Sequence, residues 1–118
     1  SAVSGTHDHD ALTYGMVWNG STNAGGSFVI NLRGDANTTF DSLIDIGKVT
    51  TMTIYSANNS ASNYMTAFQI DGSAQTIKYS GGSAPSVATG SGVDVYSLTI
   101  MKTAASTFSV FGNFTNFA

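Results

Sequence analysis

The chain has 118 residues and a formal charge of −3, with 9% of residues charged and 42% hydrophobic. That length suits one domain with one core, and so little charge beside so much apolar material excludes a disordered segment. Only Arg33, Lys48, Lys78 and Lys102 are basic, so a nucleic-acid partner is not expected; no apolar run reaches the ~20 residues of a spanning helix, and there is no cysteine for disulfides or thiolate chemistry.

The polar residues are mainly Ser, Thr, Asn and Gly, which favour strands and turns over long helices. Residues 1–10 (SAVSGTHDHD) are polar and aperiodic, and read as an arm or linker ahead of a single domain at 11–118. From Leu12 the apolar period is two, the mark of strands. Leu12–Trp18 is the first expected strand, closed by the turn dipeptide Asn19-Gly20. Next comes Ser27–Arg33, with Phe28, Ile30 and Leu32 alternating against Val29, Asn31 and Arg33. Thr39–Ile46 fits a helical turn or a short strand equally well.

Val49–Ser56 is rich in β-branched residues that suit a pleated surface. Tyr64–Ile70 and Gln75–Tyr79 flank Asp71-Gly72 and predict a hairpin. Ser80–Gly92 is the longest irregular stretch and holds the single proline, Pro85. Val93–Met101 and Thr107–Asn113 complete the pattern. The expectation is an all-β fold, an antiparallel β-sandwich or jelly-roll-like domain of about seven or eight short strands.

Three features of the second half carry a resemblance. Ile70-Asp71-Gly72 ends a strand in a turn. Gln75-Thr76-Ile77-Lys78-Tyr79-Ser80-Gly81-Gly82-Ser83-Ala84-Pro85 follows, and Val93-Asp94-Val95-Tyr96 begins a later strand. Over Ala67–Phe114 the chain resembles a domain near the C-termini of tail-fibre and other virion structural proteins of tailed phages, notably those of marine cyanobacteria. The resemblance implies a structural role at a virion or extracellular location, assembly as a homotrimer with other virion proteins nearby, and host-surface adhesion. Tyr79 stands where such domains frequently carry Trp, a swap that keeps an amphipathic aromatic.

His7-Asp8-His9-Asp10 is the one pattern suited to a metal. In an extended segment His7 and His9 share one side and Asp8 and Asp10 the other. Two histidines are too few for a closed site in one chain, but a trimer would gather six nitrogens, an arrangement similar to fibre tips that hold a transition metal on a threefold axis. Otherwise no cofactor is expected. Trp18 and Tyr64 flank turns and are the candidates for contact with a host glycan or protein, since aromatic rings suit both sugars and interfaces.

Arg33-Gly34-Asp35 spells an adhesion tripeptide but is also ordinary turn chemistry. Asp41, Asp45, Asp71 and Asp94 could be imagined as an acid pair for sugar cleavage, yet nothing in the pattern draws two of them together. The expected protein is therefore not an enzyme but a tail-fibre or appendage module. The alternatives are a capsid decoration (cement) protein whose arm lashes neighbours, or a cellular extracellular carbohydrate-binding module or filament subunit.

Overall fold

The computed structural model describes residues 2–20 and 22–118. The described residues are 53% strand and 9% helix, so the all-β expectation holds. Among them, nine strands form two sheets. Sheet A has four, in the order β1 (Gly5–Asp10), β3 (Phe28–Arg33), β5 (Met65–Ile70) and β6 (Ser73–Gln75). Sheet B has five, in the order β2 (Val17–Gly20), β4 (Val49–Ala57), β8 (Val93–Ala104), β9 (Thr107–Phe117) and β7 (Ile77–Tyr79).

Both sheets contribute to one buried cluster. Phe28, Ile30, Leu32, Phe68 and Ile70 come from sheet A, and Met52, Ile54, Tyr96, Leu98, Ile100 and Val110 from sheet B. In β3, β4 and β8 these residues alternate with outward ones, which is why a period of two was visible in their sequence. Two sheets over one core also give a flat body of 38 × 32 × 19 Å.

The pairing is where the antiparallel expectation fails. The ladders β1·β3, β3·β5, β2·β4 and β7·β9 are parallel; only β4·β8, β5·β6 and β8·β9 are antiparallel. For the first three parallel ladders the cause is connectivity. From β1 to β5 the chain changes sheet at every connection, so it re-enters each sheet running in the same direction as before.

Three local expectations are also corrected. Residues 1–10 are not a free arm throughout: from Gly5 the chain is β1, paired residue for residue with β3 from Gly5↔Phe28 to Asp10↔Arg33. Its inward residues are His7 and His9 rather than aliphatics, so no apolar alternation announced it. Leu12–Trp18 is not one strand, because Ala11–Tyr14 forms a single helical turn, α1, ended at Gly15, whose φ is 71°. Strand β2 follows and includes Asn19 and Gly20, the expected turn; Ser21 lies outside the described residues. Finally, Gln75–Tyr79 divides at Thr76, where the chain leaves sheet A as β6 and enters sheet B as β7.

The Asp71-Gly72 hairpin forms as expected between β5 and β6. Both residues take positive φ, 52° and 81°, as tight hairpin turns demand. The Asp71 carboxylate then accepts the backbone N–H groups of Phe40 (2.7 Å) and Asp41 (3.0 Å). That fixes the segment Thr39–Ile46, whose centre is a 3-10 turn at Asp41–Leu43. Buried Lys102 secures the same segment from sheet B. Its Nζ donates to the carbonyls of Asp41 (2.8 Å) and Ile44 (3.0 Å) and pairs with the Asp41 carboxylate at 2.9 Å.

Candidate functional site

The N-terminal corner holds three of the four candidate residues. In β1, His7 and His9 face inward while Asp8 and Asp10 face out, following the strand's alternation. His9 is 1% exposed. Its Nε2–H donates to the Gly15 carbonyl (2.7 Å), which ties β1 to the end of α1 and fixes the tautomer. Its Nδ1 is then a buried acceptor without a partner among the described residues. His7 lies with its ring 5.6 Å from that of Trp18. Burial, and next the neighbouring His9, hold its imidazole below the ordinary 6.5 against the opposing pull of Asp8 and Asp10.

His9 is enclosed by its own chain and would have to leave that place to reach an axis between chains, whereas His7 is only half-buried. Among the described residues no group of three or more His, Cys, Asp or Glu is placed to hold a metal ion.

Trp18 points inward from β2, stacked at 5.7 Å on Phe28 of the core. It folds over Gly20, where a Cβ would stand 2.5 Å from the indole ring; only glycine leaves room for it. The half-buried indole thereby becomes a wall between two clefts. One, of about 430 Å³, is lined by His7, His9, Tyr14, Val17, Trp18 and Asn19. The other, of about 450 Å³, runs along residues 2–4 and Thr6 and shares His7, Trp18 and Asn19. Tyr14 is 70% exposed at the rim. Tyr64, the other aromatic candidate, lines neither cleft; it is half-buried just before β5, and its carbonyl accepts the N–H of Phe28.

Most acidic candidates serve the scaffold. Asp94 is 1% exposed, and its carboxylate accepts from Asn58 Nδ2 (2.8 Å), Asn116 Nδ2 (3.0 Å), and the hydroxyl (2.5 Å) and N–H (3.2 Å) of Thr89. Asn58 also accepts from Gly90 N–H at 2.8 Å. The clasp pins the irregular stretch Ser80–Gly92 to the ends of β8 and β9. Arg33 of the adhesion-like tripeptide is bound to Asp10 (2.6 Å) and Asp8 (3.3 Å), and Gly34 is buried. Asp41 and Asp71 hold the Thr39–Ile46 segment as described above.

The outer faces of the two sheets differ sharply. On sheet A, Asp8 is opposite Asn31, and Asp10 opposite Arg33. Asn31 donates to Asp8 (3.0 Å) and accepts from Gly72 N–H (2.8 Å), so the face is a polar ladder. On sheet B, one row across the strands reads Val17, Thr53, Ser97, Asn113, and the next reads Thr51, Thr99, Phe111, Lys78. Among the described residues no carboxylate stands on this face, and Lys78 is its single charge. Sequence reasoning missed this face, though the alternation Thr51, Thr53, Tyr55 and Val95, Ser97, Thr99 carried the signal.

Comparison with known proteins adds no neighbour: no protein-family model, curated protein or solved structure matches the chain.

Proposed function

We propose that this chain is a non-enzymatic structural domain of a tailed-phage virion, a tail-fibre or appendage module that assembles as a homotrimer and contacts a host-surface glycan or protein. The two sheets over one core are read as a β-sandwich, though not as a regular jelly roll, given the parallel ladders. The observation that carries the adhesive part is the Trp18 wall with a cleft on each side. An indole edge beside His7, Asn19 and Tyr14 combines apolar stacking surface with hydrogen-bonding groups, the combination that suits a sugar ring. The residues of the phage-like stretch support the structural part, since Gln75–Tyr79 links the two sheets and Asp94 locks the loop that follows.

The decoration-protein alternative relied on a ten-residue lashing arm, and it weakens because Gly5–Asp10 is committed to sheet A. A cellular carbohydrate-binding module remains the second reading, favoured by the same Trp18 clefts. An array of bacterial surface glycans, probed with the parent and with Trp18→Ala, tests the adhesive role. Binding by the parent and its loss in the variant is the expected result. A folded parent that binds no glycan and no host cell would reduce the chain to a scaffold.

A further inference from the structure

The outer face of sheet B combines three properties. It is broad, it lacks carboxylates, and it displays Val17, Val49, Tyr55, Phe111 and Phe117, five of the ten large hydrophobic side chains that are exposed. We propose that this face is where copies of the chain pack against one another. The proposal rests on the reading of the chain as self-assembling and departs from it in one respect: like faces packed on each other are related by a two-fold axis, so the unit this surface builds is a pair and not a trimer.

Area supports a second copy as the occupant. With strands ~4.8 Å apart and ~3.3 Å per residue, the long strands β4, β8 and β9 and the short edge strands β2 and β7 together cover about 600 Å². That makes about 1,200 Å² for a pair, at the lower end of specific protein interfaces. Charge supports it too. The chain carries −3, and the outer face of sheet A keeps one carboxylate in excess, because Asp8 and Asp10 share the single Arg33, so two copies meeting there repel. Through sheet B, no carboxylate meets another. The single cation, Lys78, sits on the edge strand β7 with its ammonium 5.7 Å from the centre of the Phe111 ring, away from the middle of the contact.

The hydroxyls suit such a contact. Thr and Ser in flat rows can hydrogen-bond across an interface or remain hydrated when apart, and a mixed face of this kind matches the polarity of interfaces between separately folding proteins. An acidic partner would call for clustered cations, which this face does not offer.

Sedimentation velocity of the parent, Ser97→Arg, Thr51→Lys and Ala74→Arg tests the assignment. Ser97 is exposed on the central strand β8, Thr51 on β4, and Ala74 is exposed on β6 of sheet A. The parent is expected to sediment as an assembly, and Ser97→Arg and Thr51→Lys as folded monomers. An uncompensated charge buried in the contact weakens association about a hundredfold or more. Ala74→Arg should keep the parent's mass. Circular dichroism confirms that each variant retains its fold. A monomeric parent overturns the proposal together with the self-assembly reading. An assembled parent dissociated by Ala74→Arg and not by the two sheet B variants overturns the face alone.

Discussion

The outer faces of the two sheets solve opposite problems with the same pleated geometry. Sheet A's face spends its charges internally: Arg33 bridges Asp8 and Asp10, and Asn31 joins Asp8 to the Gly72 turn. That face fastens β1, an edge strand whose inward residues are histidines and so supply little apolar burial. Sheet B needs no such fastening, because β4, β8 and β9 bury Met52, Ile54, Tyr96, Leu98, Ile100 and Val110 on the other side. Its outer face is free to be nearly chargeless. In a chain this poor in charge, where the few ionic groups go shows which parts require help from electrostatics.

The largest effect expected of any ionic group belongs to Asp94. Asp94→Ala would leave Asn58, Asn116 and Thr89 without their shared acceptor inside the protein, at a cost of about 3 kcal/mol or more. Chemical denaturation measures it. A loss under ~0.5 kcal/mol, the size of an ordinary surface change, would mean that the clasp does not hold the loop.

Arg33→Ala sharpens the contrast between the faces. The pairs with Asp8 and Asp10 are partly exposed, so the cost should be about 1 kcal/mol and should shrink in high salt. Self-association should be untouched. Ser97→Arg should do the reverse, leaving the stability of the isolated domain within ~0.5 kcal/mol and changing only assembly.

A smaller effect concerns acid. Lys102, and then the Ser106 N–H, hold the Asp41 carboxyl below its ordinary 3.8. A depressed carboxylate contributes stability that is present above the unfolded value and is lost as pH falls through the folded one. The stability gap between the parent and Asp41→Asn should therefore be full above about pH 5 and close as pH drops below 3.8. An unchanged gap in acid would remove Asp41 from the account of how Lys102 is satisfied.

The strands with aliphatic or aromatic inward residues were legible in the sequence, and so was the Asp71-Gly72 hairpin. Phe28–Arg33, Val49–Ala57 and the first part of β8 lie close to where alternation put them. β1 was not legible because His7 and His9 occupy the places where aliphatics would signal a buried face. The parallel pairing was hidden for a different reason. Alternation identifies a strand but not its neighbour, and the repeated change of sheet between β1 and β5 decides direction for β1·β3, β3·β5 and β2·β4.

The candidate site divides in the same way. Trp18 could be singled out by type and place, but its cleft depends on Gly20 beneath the indole and on His7 from another sheet. Tyr64 had the same sequence credentials and lies elsewhere. For the uncharged face, alternation in β4 and β8 carries the signal strand by strand, and register joins the strands by setting Thr53 beside Ser97 and Thr51 beside Thr99.

The central claim is that one face is fastened by charge within the chain and the other is completed by a second copy. Thermal unfolding followed over about a hundredfold range of protein concentration tests it directly, because stability gained by association follows mass action. The account predicts that the midpoint of the parent rises with concentration while that of Ser97→Arg stays constant. A midpoint of the parent that does not move with concentration would contradict it.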